Sequence, residues 1–124
     1  MAKAGVMGAG SWGTALALLL YKNGHEVTLW SIDPNEVEQL KIEREHKSKL
    51  PGVKIPEDME ITDCMEKAVA GKDFVVLAVP SPFIRSTARS MKSYVTDNQK
   101  IVNVAKGIEE ATLKTLTEQI EEEL

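Results

Sequence analysis

Cysteine is almost absent: Cys64 is the one cysteine in 124 residues, so no internal disulfide can form and no thiol pair is available for metal or redox work. The expectation for Cys64 is a small buried or half-buried thiol. Histidine occurs only as His25 and His46, too few for a His-rich metal centre, and no Ser/His/Asp set or paired carboxylates are apparent. Both histidines are expected at the surface, His25 just before a strand and His46 in a charged stretch. No apolar run approaches the ~18 residues that a spanning helix needs, and Met1-Ala2-Lys3-Ala4 leads inward without an apolar signal region. The expectation is a soluble, cytoplasmic chain with no membrane insertion. Positive charge is in the minority, 15 Lys and Arg against 19 Asp and Glu. A formal net charge of −4 with both signs interleaved leaves no basic stripe to follow a phosphate backbone, which argues against nucleic acid as a partner. At this length the chain makes one domain, burying roughly two-thirds of the surface its unfolded form exposes.

Against these absences stands one glycine-dense run, Gly8-Ala9-Gly10-Ser11-Trp12-Gly13. It follows a short apolar stretch and opens into the apolar segment from Thr14 to Tyr21, the setting in which a GxGxxG spacing reads as a dinucleotide-binding turn. Gly8 permits a tight turn off the strand, Gly10 lets main chain approach a pyrophosphate, and Gly13 lets the new helix press against the sheet. The N–H groups and positive dipole end of that helix then face the anion.

Strand and helix patterns alternate along the whole chain. Ala4 to Met7 is a poor strand by propensity because of Gly5, but its position before the turn makes it the central strand. A helix over Thr14 to Leu20 ends at Asn23-Gly24, residues tolerant of a left-handed cap, and the second strand is Glu26 to Trp30. Asp33 as N-cap and Pro34 at the first helical position start a helix running to about Glu45. The charged stretch from Lys41 to Lys49 reads as a solvated helix end and a loop, with Pro51-Gly52 and Pro56 breaking any regular element. Met59 to Thr62 is a short third strand, with a helix from about Asp63 to Ala70. Phe74 to Val79 is apolar throughout and reads as a strand buried on both faces. A helix from Phe83 to about Tyr94, a fifth strand from Lys100 to Ala105 and a helix from Thr112 to Leu124 complete the pattern. The fold class is therefore α/β, a doubly wound and mostly parallel sheet of about five strands in a single domain, with ligands beyond the carboxyl ends of the strands.

Three places could carry chemistry. At the end of the second strand an acid accepts hydrogen bonds from the adenosine ribose, whereas an Arg pairs with a 2′-phosphate. Trp30, Ser31, Ile32 and Asp33 stand there. Asp33 has the spacing of the ribose acceptor and also that of the N-cap, and no Arg is present. Val79-Pro80-Ser81 ends the fourth strand, where Pro80 and small residues let a flat ring lie on backbone. Ala105-Lys106-Gly107 ends the fifth, where Lys106 can bind an anionic cofactor or substrate group or serve simply as a turn lysine. Lys106 is also the one candidate for the proton transfer that hydride chemistry at an oxygen-bearing carbon requires, and alone it is insufficient.

The run Gly8-Ala9-Gly10-Ser11-Trp12-Gly13-Thr14-Ala15-Leu16-Ala17 closely resembles the cofactor turn of bacterial NAD(P)-dependent glycerol-3-phosphate dehydrogenases, and its Ser-Trp is more specific than the glycines. Val27-Thr28-Leu29-Trp30, Leu50-Pro51-Gly52-Val53, Leu77-Ala78-Val79-Pro80-Ser81 and Ala105-Lys106-Gly107-Ile108-Glu109 resemble that family's later signatures in the same order. The resemblance covers the whole chain but only the N-terminal Rossmann domain of the family. It implies that residues 1–124 are the NAD(P)-binding domain, and that the helical substrate domain, with the lysine that accepts the proton, has no counterpart here. It further implies that Ser11 and Trp12 contact NAD or NADP and that Lys106 lies between cofactor and substrate phosphate. Lys49 falls where the family usually has an aromatic residue or His touching the cofactor. Ile32 stands where the family often has Arg, which weakens an NADP preference, and Gly5, at a usually bulkier position, implies a looser first strand. The implied reaction of the intact enzyme interconverts dihydroxyacetone phosphate and sn-glycerol 3-phosphate, the precursor of glycerophospholipids, with a homodimer as the expected assembly. Two alternatives share the glycines: a stand-alone nucleotide-sensing domain, and a dehydrogenase of another hydroxy acid.

Overall fold

Strand and helix alternate, apart from a hairpin after the second helix, through residues 2–47 and 50–104, which the computed structural model describes. In chain order the elements are β1 (Lys3–Met7), α1 (Ser11–Lys22), β2 (Glu26–Trp30), α2 (Pro34–Glu43), β3 (Glu45–His46), β4 (Leu50–Lys54), β5 (Glu60–Thr62), α3 (Met65–Val69) and β6 (Phe74–Leu77). A 3-10 turn at Ser81–Phe83 then leads into α4 (Ile84–Met91), and β7 (Lys100–Asn103) follows. Five strands pair in the order β5-β2-β1-β6-β7, every neighbouring pair parallel. The chain winds from β1 toward one edge, then crosses over to fill the other side. The direction of winding therefore reverses between β1 and β6, the place at which ligands bind in such sheets.

Because side chains alternate along a strand, each strand feeds two cores. Val6, Leu29 and Val76 pack with Ala17 of α1 and Leu40 of α2 on one face. Their neighbours Met7, Trp30 and Leu77 pack with Val69 of α3 and with Ile84 and Met91 of α4 on the other. Val6, Met7, Leu29 and Leu77 are wholly buried, each contributing about 1.5–3 kcal/mol over an exposed side chain.

Gly5 does not loosen β1. It is paired on both sides, with Thr28 and Val75, and a Cβ there would overlap the Ala68 carbonyl oxygen of α3. The missing side chain is what lets α3 lie against the central strand.

The stretch after α2 also departs from expectation, since a hairpin replaces the loop. Arg44 takes up the left-handed conformation, φ 52°, and turns the chain out of α2. β3 and β4 then pair antiparallel through Glu45–Lys54 and His46–Leu50, with an irregularity between the two pairs. Pro51 fits within β4 because a two-stranded ribbon has an open edge that needs no N–H donor. The Arg44 guanidinium fastens the ribbon to the main sheet by donating to the carbonyl oxygens of Pro56 and Met59 at 3.1 and 2.8 Å. His46, expected at the surface, is 2% exposed because the ribbon folds it against Glu36 of α2. His25 is half-buried, with Nδ1 accepting from the Ala2 N–H at 3.1 Å. Cys64 is half-buried as expected. The expected helix over Thr112 to Leu124 lies outside the described residues.

Candidate functional site

The carboxyl ends of β1 and β6 meet at the glycine turn. Gly8 has φ 120°, a conformation that L side chains rarely adopt, and a Cβ there would come within 2.8 Å of the Ala78–Val79 peptide. Main chain thus packs directly on main chain, and the Ala78 N–H donates to Met7 O at 2.9 Å. A Cβ on Gly13 would overlap the Gly8 carbonyl oxygen, so α1 reaches the turn only because that position is bare. Gly10 differs, since a Cβ there would meet nothing within 4 Å. As the residue preceding α1 it brings no side chain to the helix start, which leaves room for an anion beside the first-turn N–H groups.

A cleft of about 260 Å³ opens at this point. Gly8, Gly10, Ile32, Asp33 and Pro80, all singled out in the sequence, line it together. Gly13 is buried behind the turn, while Ser11 and Trp12 are exposed at the start of α1 and do not line the cleft. Lys49 and Lys106 lie outside the described residues.

The structure settles the geometry of Asp33: Oδ1 accepts from the Asn35 N–H at 2.9 Å, so this side chain caps α2. It also adds lining residues that sequence reasoning missed, among them Phe83, Thr87 and Glu36. Ile32 and Phe83 are large apolar side chains left 78% and 55% exposed at the cleft, surfaces suited to an aromatic ring. Glu36 is the third helical residue after the Asp33 cap, a spacing that places it in the first turn beside the end of β2. That spacing was the available signal for it. The Ser31 hydroxyl donates to Glu36 Oε1 at 2.6 Å and accepts from the Asp33 N–H at 3.2 Å, while His46 Nε2 stands 3.1 Å from Glu36 Oε2.

Among the described residues no group of three or more His, Cys, Asp or Glu side chains could hold a metal ion. No described helix is long and apolar enough to cross a membrane. The site is thus a backbone-built anion cradle flanked by apolar surfaces and, at the β2 end, by carboxylates.

Residues 3–124 match the family model described as the N-terminus of NAD-dependent glycerol-3-phosphate dehydrogenase. A glycerol-3-phosphate dehydrogenase [NAD(P)+] of Fusobacterium nucleatum is 58% identical over the whole chain, which covers 37% of that protein. Its counterpart in Agathobacter rectalis is 52% identical with the same coverage. Among solved structures, the glycerol-3-phosphate dehydrogenase of Coxiella burnetii superposes with a TM-score of 0.92 at 29% identity, over 99% of this chain and 38% of that one. The chain therefore spans well under half the length of these relatives.

Proposed function

The chain belongs to the family of N-terminal domains of NAD-dependent glycerol-3-phosphate dehydrogenases, and from that premise we propose that it is the nucleotide-binding half of an enzyme interconverting dihydroxyacetone phosphate and sn-glycerol 3-phosphate. The cofactor of this family is NAD or NADP. One observation carries the reading for this chain. The glycine turn packs its own backbone on the Ala78–Val79 peptide and leaves open space beside Gly10 at the start of α1, which fits a dinucleotide pyrophosphate.

In this proposal Gly8 and Gly13 hold the turn in shape, Gly10 admits the pyrophosphate, and Ser11 and Trp12 contact the cofactor from the helix start. Ile32, Pro80 and Phe83 flank the adenine. Lys49 touches the cofactor, and Lys106 lies between cofactor and substrate phosphate. The bound cofactor supplies the hydride, and the domain's task is to orient it. Residues 1–124 make up the nucleotide-binding domain, and the further length of the relatives supplies the helical substrate domain with its proton-accepting lysine. The product serves glycerophospholipid synthesis. Cytoplasmic residence and a homodimeric enzyme belong to the same proposal, as does independence from nucleic acid, which the net charge of −4 supports. The nucleotide-sensing alternative is not favoured, because the relatives reported above are dehydrogenases.

The test is calorimetric titration of the folded chain with NADH, alongside an assay with dihydroxyacetone phosphate. Saturable binding with little or no turnover is expected. A folded chain that binds neither NADH nor NADPH would refute the nucleotide-binding reading, and turnover by the chain alone would refute the need for a second domain.

A further inference from the structure

Among the described lining residues the charged side chains are Asp33 and Glu36, both acids. Asp33 is exposed and turned to the α2 backbone as its cap. Glu36 is held quite differently. Its side chain is only 17% exposed, and its carboxylate is gripped from two elements, by the Ser31 hydroxyl at the end of β2 and by His46 Nε2 on the hairpin. Ser31 is itself fixed, since its hydroxyl accepts the Asp33 N–H and its own N–H donates to Thr62 O at 3.1 Å. His46 is buried and acts as donor through Nε2 in the tautomer this contact requires.

An acid at the third helical position ordinarily reaches back to the N-cap backbone N–H. Here Ser31 takes that N–H and passes the contact on to Glu36, which leaves the carboxylate on the cleft wall rather than folded over the helix start. In this topology the adenosine ribose falls beside the end of the second strand. A 2′-phosphate brought there carries about −1.5 to −2 charge at neutral pH. It would meet a carboxylate fixed in place by Ser31 and His46.

We propose that Glu36, positioned by Ser31 and His46, is the specificity-determining residue of the cleft and disfavours the 2′-phosphate of NADP(H) in favour of the ribose hydroxyls of NAD(H). The inference rests on the nucleotide-binding reading above. It assigns selection to a side chain one helical turn beyond the strand end, and it leaves Asp33 a structural cap.

Wild type and Glu36→Gln are titrated with NADH and with NADPH at one pH and low ionic strength, with thermal unfolding as the check on folding. Glutamine keeps the shape and an acceptor for Ser31 while removing the charge. Wild type should bind NADH about tenfold more tightly than NADPH, and Glu36→Gln should shrink that ratio about tenfold, chiefly through tighter NADPH binding. Equal binding of the two nucleotides by wild type, or an unchanged ratio in Glu36→Gln, overturns the proposal. If the variant does not fold, the wild-type ratio measured from low to high salt decides instead. Repulsion by a fixed charge must fade with screening, and a salt-independent ratio overturns the proposal. Binding of neither nucleotide by folded wild type is the separate result that removes the nucleotide-binding reading itself.

Discussion

The two walls of the cleft are built in opposite ways. The wall at β1 and α1 is shaped by missing side chains: Gly8 lies on the Ala78–Val79 peptide, and Gly13 lies on Gly8. The wall at β2 and α2 is shaped by polar side chains that reach one another from three elements, Ser31, Glu36 and His46. Backbone packed on backbone cannot yield, because neither partner has a rotamer to change. A hydrogen-bonded network can lose one member and rearrange. The first wall therefore suits the part common to all dinucleotides, and the second suits the part that distinguishes them.

The largest effect should come from breaking the rigid wall. Gly13→Ala places a methyl group on the Gly8 carbonyl oxygen, and relief requires moving α1 off the sheet. A loss of about 3 kcal/mol is expected, read from the midpoint of urea unfolding, together with loss of NADH binding in whatever remains folded. An unchanged midpoint would show that α1 shifts freely, and the contrast between the walls would fail.

The same contrast explains what could be read in advance. Gly8 and Gly13 act through spacing within six residues, so their packing roles were legible from the run itself. β2 was legible to the residue, because Glu26–Trp30 is an apolar-rich run bounded by Gly24 and by Ser31. The hairpin was not. It depends on Arg44 reaching carbonyl groups at Pro56 and Met59, and side-chain bonds to distant backbone leave no periodic trace. A histidine among charged residues reads as solvated, and only the fold shows that His46 faces a carboxylate ten positions back. Glu36 was hidden for another reason, since an acid in a first helical turn is already accounted for by the helix dipole. Gly5 misled because propensity weighs the strand alone, whereas the residue serves the helix packed on it.

Asp33 sharpens the comparison at smaller cost. As the cap of α2 its replacement in Asp33→Ala should lower stability by about 1 kcal/mol, measured by thermal or urea unfolding. Because its Oδ1 is occupied by the Asn35 N–H, the ratio of NADPH to NADH affinity should stay at the wild-type value. A change of ratio as large as that expected for Glu36→Gln would move the selecting role to Asp33.

The smallest effect concerns acid. Glu45 on β3 has its carboxyl held below the usual carboxylate range, first because it accepts the Gly52 N–H and further through the nearby Lys54 and Lys47. A folded-state value below the unfolded one means that this contact supports the hairpin above the unfolded value and is lost as pH falls through the folded one. The contacts that shape the glycine turn at Gly8 and Gly13 are between backbone atoms, which do not titrate. On acid titration followed by backbone amide resonances, Gly52 should therefore shift and its protection should fall while the amides of Gly8 and Gly13 stay unchanged, and Glu45→Gln should remove the Gly52 transition. Simultaneous loss at both places would mean that the glycine turn and the hairpin open as one cooperative unit.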